Sequence, residues 1–151
     1  MWLRLLATKD EAQDALKKFQ ARAELESGQR LKALRTDRGG EFNSTSLGEY
    51  FADQGVQRQL TTPYSPQQNG VVERRNQTIV GMARSLMKAK GVPAQFWGEA
   101  VTTAVYLLNR STTKSVVKMT PYESWCGRRP YVRHFRTFGC VAHVKTTRPN
   151  A

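Results

Sequence analysis

The chain has 151 residues and a net charge of +12, from 24 Lys and Arg against 12 Asp and Glu. A hydrophobic fraction of 39% and a charged fraction of 24% suit a globular chain of single-domain size and argue against wholesale disorder. No run approaches the roughly 20 apolar residues of a membrane span. The apolar start at residues 2–6 is too short for a signal peptide, and two cysteines make no disulfide framework, so the chain reads as intracellular, with a polyanion as expected partner and no membrane.

In chain order, residues 2–6 are apolar and read as a strand or the end of one. Residues 10–23 carry Ala12, Ala15, Leu16, Phe19 and Ala23 at helical spacing, with Asp10, Glu11 and Asp14 suited to the helix N-terminus and Gly28 to its stop. Residues 31–36 alternate as a short strand that ends at Asp37, where Arg38-Gly39-Gly40 breaks the chain. Asn43 or Ser44 can cap a second helix through Leu47, Tyr50 and Phe51, followed by a brief strand at 56–60. Residues 61–70, with Pro63, Pro66 and Gly70, read as a loop, and a long helix is predicted from about Val71 to Lys90. Pro93 opens another helix through Trp97, Ala100, Ala104 and Leu108. Pro121–Cys126 is a short helix capped by Thr120, and residues 138–144 read as a strand. The alternation of strand and helix predicts an α/β layered domain.

The charge is segregated along the chain. Residues 1–73 hold ten basic and ten acidic side chains, whereas residues 74–151 hold fourteen basic and two acidic, Glu99 and Glu123. A surface built for solubility mixes signs throughout, so this segregation favours a phosphate-binding face.

Asp37 and Glu73 are the candidate metal-holding carboxylates. Asp37 ends a strand where a Gly-Gly turn begins, at the sheet edge where α/β sites form. Glu73 sits in the first turn of the long helix. At about 100° per residue, Glu73, Gln77, Val80, Arg84 and Lys88 fall on one side, and Val72, Ile79, Met82, Ala83 and Leu86 on the side that packs inward. A carboxylate followed by amide and cationic groups along one helix face suits a phosphodiester-exchanging enzyme, in which two Mg²⁺ ions about 4 Å apart stabilise the attacking and leaving oxygens. A helix-dipole role for Glu73 and a turn role for Asp37 are the plainer alternatives.

The local sequence carries more. Leu34-Arg35-Thr36-Asp37-Arg38-Gly39-Gly40-Glu41-Phe42 and Thr62-Pro63-Tyr64-Ser65-Pro66-Gln67-Gln68-Asn69-Gly70-Val71-Val72-Glu73-Arg74-Arg75-Asn76 closely resemble the integrase catalytic core of copia-type LTR retrotransposons. Thr120-Pro121-Tyr122-Glu123-Ser124-Trp125 and Phe138-Gly139-Cys140-Val141-Ala142 resemble downstream blocks of the same polyproteins. In that family two Asp and one Glu bind the metals, the last two separated by 35 residues, and residues 38–72 here give that spacing between Asp37 and Glu73. The resemblance implies an RNase H-like fold: a five-stranded mixed sheet in the order 3-2-1-4-5, flanked by helices.

Matched to that pattern, the chain begins at the end of the third strand. It therefore reads as an incomplete mixed sheet lacking its first two strands and the first catalytic Asp, since no acid precedes Asp10. Residues 1–110 are expected to be the partial core, and residues 111–151 a basic C-terminal extension. The edge of the strand at 31–37 would be exposed, giving a marginal or aggregation-prone fold, or one completed by another segment.

The implied chemistry of the intact family enzyme is Mg²⁺-dependent (or Mn²⁺-dependent) 3′-end processing and strand transfer into target DNA, with two ions in the site. With two of three carboxylates, this chain alone is expected to be inactive. The alternative is a non-catalytic nucleic-acid-binding or assembly fragment of a degenerate element. A homo-oligomer, and a location in the nucleus and in cytoplasmic virus-like particles, are expected for the intact family protein.

Gln67, Gln68 and Asn69 lie in what resembles the mobile loop before the catalytic helix and are candidate DNA contacts, against the plain reading of a surface turn. Arg74, Arg75, Gln77, Arg84 and Lys88 are the candidate DNA contacts of the helix itself. Glu41 reads as local support for the turn. Phe96, Trp97 and Tyr106 read as core or as a partner surface. Cys126, His134, Cys140 and His143 are separated by seven, five and two residues, which does not suit paired zinc ligands, and no zinc is expected.

Overall fold

The computed structural model describes residues 1–37, 39–61 and 66–143, with backbone alone for 66–69. Seven regular elements follow in order: α1 (Ala12–Ser27), β1 (Ala33–Thr36), α2 (Thr45–Asp53), β2 (Gln57–Leu60), α3 (Pro66–Lys90), α4 (Trp97–Arg110) and α5 (Pro121–Cys126). Single 3₁₀ turns at Lys9–Glu11, Gly40–Phe42 and Ala94–Phe96 lead into or join them. The chain divides into two compact units, Trp2–Gln77 and Thr78–Ala151, the second including Met1.

In the first unit β1 and β2 pair in parallel, with Ala33 opposite Gln57 and Thr36 opposite Leu60. Parallel strands need a crossover, and α2 supplies it. Ser44 caps α2, its hydroxyl accepting the Leu47 N–H at 3.2 Å, and so satisfies a donor that the helix itself leaves free. Leu47 and Phe51, one turn apart on α2, are fully buried with Val56 against Leu16, Leu31, Leu34, Phe42 and Tyr50. Burial of side chains this large contributes about 1.5–3 kcal/mol each.

Helix α1 stops at Gly28, whose φ of +64° is the left-handed conformation that glycine adopts without strain. The carboxylate of Glu24 then ties the helix to the approach of β1. It accepts the Leu31 N–H at 2.8 Å and the Gln20 side-chain amide at 3.1 Å.

The predicted strand at 2–6 does not form. Among the described residues the sheet has two strands, and residues 2–6 pair with neither. Instead Trp2 packs on the Phe19 ring of α1 at 5.1 Å, and Leu3, Leu5 and Leu6 stay exposed.

In the second unit, the part of α3 from Thr78 onward packs on α4 through small residues. Ala83, Ala100, Val101 and Ala104 are buried, with Ile79, Met82, Leu86, Met87 and Phe138 closing around them. The predicted strand at 138–144 is also absent over residues 138–143, and Val144 lies outside the described residues. Phe138 turns inward onto the helices, and Gly139 at φ +76° reverses the chain. A Cβ on Gly139 would stand 2.5 Å from a Val92 methyl, so both the turn and the close approach require glycine. Thr120 caps α5, accepting the Glu123 N–H at 3.1 Å.

Candidate functional site

Asp37 directly follows β1 and is exposed at the C-terminal end of the parallel pair. Pairing runs to that end, where the Thr61 N–H donates to the Thr36 carbonyl at 3.1 Å. The Asp37 carboxylate is then fixed from the other side, its Oδ1 accepting the Gly39 N–H at 3.1 Å. One oxygen is thereby oriented by backbone on a strand end that the ladder holds rigid. Arg38 lies outside the described residues.

Glu41 stands over the same glycine. A Cβ added at Gly39 would meet the Glu41 carboxylate at 3.0 Å, so Gly39 leaves room for one acid while its N–H holds the other. Glu73 is exposed on α3, in the same unit as Asp37. Among the described residues, no group of three or more His, Cys, Asp or Glu gathers closely enough to hold a metal ion.

Helix α3 begins earlier than the sequence indicated. Its backbone is already helical at Pro66, so Gln67, Gln68, Asn69 and Gly70 lie on the first turns of the helix and not in a loop. Proline is well suited to open a helix, because its missing N–H falls where the helix supplies no acceptor. Residues 62–65, including Ser65, lie outside the described residues. The early start moves Glu73 from the first turn to the end of the second.

The inward-facing set also needs correction. Val72 is 54% exposed and Val71 65%, whereas Ile79, Met82, Ala83 and Leu86 do pack. In the first unit, Arg74 and Gln77 are exposed and Arg75 is half-buried. The Arg74 guanidinium folds back along the helix, and a Cβ on Gly70 would meet it at 3.2 Å. In the second unit, Arg84 and Lys88 are exposed one turn apart.

Cys126 and Cys140 are exposed free thiols, and His143 is exposed. His134 shares a hydrogen bond with the Tyr106 hydroxyl at 2.8 Å. That contact opens onto a feature the sequence reading missed: rings of Tyr106, Tyr131, His134 and Phe135, with the Arg110 guanidinium 3.5 Å from the Tyr106 ring centre. Phe96 and Trp97 remain 41% and 39% exposed. Only the bunching of Tyr131, His134 and Phe135 in sequence hinted at such a cluster.

No protein-family model matches the chain. A retrovirus-related Pol polyprotein from the transposon TNT 1-94 of Nicotiana tabacum is 42% identical over 146 residues, which is 95% of this chain and 11% of that polyprotein. The chain thus spans about a tenth of the length of the curated relative it matches. The catalytic core domain of BIV integrase superposes with a TM-score of 0.56 at 22% identity, over 82% of this chain and 76% of that one. The HTLV-2 integrase catalytic core domain, solved in complex with magnesium in a trimeric form, gives 0.54 at 18% identity, over 77% and 70%. The fold is that of an integrase catalytic core, in the RNase H-like class.

Proposed function

Because this chain belongs with the integrase segment of the retrovirus-related Pol polyproteins of copia-type transposons, we propose that it serves DNA integration as part of an integrase core. Asp37 and Glu73 are its core carboxylates. The basic residues after Glu73 are its grip on DNA, Arg84 and Lys88 on α3 among them, and residues 111–151 extend that grip. One observation carries the reading: Asp37 ends a parallel strand with its carboxylate held by the Gly39 N–H, and Glu73 stands exposed on the helix that follows the partner strand.

Divalent metal, Mg²⁺ or Mn²⁺, belongs to this reading, since in-line phosphodiester exchange needs charge on both the attacking and the leaving oxygen. The donors present do not complete such a site, so no metal-dependent step is assigned to this chain. Alone, it binds DNA and does not join strands. In the intact protein the same segment works as a homo-oligomer, in the nucleus and in cytoplasmic virus-like particles. A second reading, a nucleic-acid-binding or assembly segment without catalysis, is favoured by the absence of a three-ligand group among the described residues.

One experiment separates them. A polypeptide carrying the first strands of an integrase core is supplied in trans, with Mg²⁺, labelled donor ends and target DNA. Joined product that disappears on Asp37→Asn or Glu73→Gln is the expected result. Persistent absence of product with DNA binding intact establishes the second reading instead, and robust joining by the chain alone overturns the claim that its donors are incomplete.

A further inference from the structure

The ring cluster of the second unit is built outward from α4. Tyr106 is held by the Arg110 guanidinium over its face at 3.5 Å, and Arg110 also donates to the Tyr106 carbonyl at 3.3 Å. The Tyr106 hydroxyl fixes His134 at 2.8 Å. Tyr131 then lies nearly parallel on the imidazole, with ring centres 5.8 Å apart and an interplanar angle of 19°. Tyr131 is nonetheless 67% exposed. With ring centres that far apart the imidazole covers only part of the Tyr131 ring, and most of the ring is open to solvent.

An isolated exposed tyrosine is ordinary. This one differs because it lies against an imidazole that is itself held from α4, which lowers the ordering cost that a free side chain would bear on binding. Its setting is also strongly one-signed. Arg128 and Arg133 flank it in sequence and are exposed, and after Glu123 the chain has no further acid. An exposed flat ring with exposed cations close by in sequence matches a ligand with planar rings joined by phosphates. Duplex DNA keeps its base faces stacked internally, so only an unpaired nucleotide can use the platform.

We propose that Tyr131, backed by His134 and flanked by Arg128 and Arg133, is a stacking site for an unpaired base of a nucleic-acid strand. The proposal rests on the reading of the chain as a DNA-binding segment and adds strand state to it: this surface selects frayed or overhanging nucleotides over closed duplex.

The test uses the full chain with two labelled DNAs of equal phosphate number, one a blunt duplex and one with a single-stranded 3′ overhang. The overhang substrate is expected to bind more tightly. Tyr131→Ala is expected to weaken that substrate about tenfold, the size of one lost base–aromatic stack, with blunt-duplex affinity and salt slope unchanged. Tyr131→Phe, which keeps the ring, should bind as the wild type does. Arg133→Ala should weaken both substrates and reduce the salt slope by about 1. A 2-aminopurine in the overhang should be quenched on binding wild type and not Tyr131→Ala. Equal overhang binding by wild type and Tyr131→Ala overturns the proposal, as does equal weakening on both substrates. If blunt duplex still binds in that case, the DNA-binding reading stands. A chain that binds neither substrate overturns both.

Discussion

Residues Trp2–Gln77 bury two large side chains, Leu47 and Phe51, beside a two-stranded sheet, whereas the second unit buries mostly alanine where α3 meets α4. The first core depends on filled volume. The second depends on close approach of helix backbones, which only small residues permit. The two are therefore vulnerable in opposite directions, one to truncation and the other to enlargement. The same boundary nearly coincides with the charge boundary: residues 1–73 balance, and residues 74–151 supply the whole +12. The unit that positions Asp37 and Glu73 carries a net charge of only +2, and the unit with the all-helical core carries the remaining +10 and most of the candidate grip on phosphate.

The largest expected effect tests the filled core. Phe51→Ala should cost about 3–5 kcal/mol, because a fully buried ring is removed from a small cluster that cannot collapse around it. That is a large share of the roughly 5–15 kcal/mol that holds a small domain together. Urea unfolding followed by circular dichroism reads it, and a loss under 1 kcal/mol would break the contrast between the units. Next, Ala100→Leu should cost about 1–3 kcal/mol by forcing the α3–α4 contact apart. A stabilising result would mean that the second core has room to spare.

The smallest effect is a pH dependence confined to the first unit. The Glu24 carboxyl is held below the ordinary 4.5, first by the Leu31 N–H, then by the Gln20 amide, with Arg30 adding a little and desolvation opposing. Because the folded value lies below the unfolded one, the contribution is present above the unfolded value and is lost as pH falls through the folded one. Glu24→Gln should thus lower the urea midpoint slightly at neutral pH. The gap to wild type should close as the medium becomes more acidic than 4.5. A gap that stays constant on acidification would show that the carboxylate's charge is irrelevant to the link between α1 and β1.

Much of the element order is legible in the residues because its signals are local. Ser44 and Thr120 cap their helices through hydroxyls three residues from the N–H they accept. Gly28 ends α1 with the positive φ that it alone adopts easily. The placement of Asp37 after β1 follows from the same kind of signal, a hydrophobic alternation broken by Gly39-Gly40. The family motifs around Asp37 and Glu73 were equally plain, being contiguous text.

Three features were not legible, each for its own reason. Residues 2–6 and 138–143 have the composition of strands, but a strand exists only where a neighbour offers its backbone groups, and no short stretch of sequence says whether one does. Pro66 read as part of a loop because prolines and Gly70 bracket the segment, although proline equally well opens the helix that forms there. The stacked rings of Tyr131 and His134, fixed from α4 by Tyr106, bring together residues 28 apart in the chain, with no periodicity to announce them.

By itself the sequence determined the α/β alternation, the family, the charge segregation, and the two carboxylates with their spacing. All of these reside in neighbouring residues or in counts. The tertiary structure alone decided which apolar segments become strands, where α3 starts, and that the exposed Tyr131 ring lies against His134. Each of these depends on which distant backbone or ring comes within reach, and packing, not local preference, sets that.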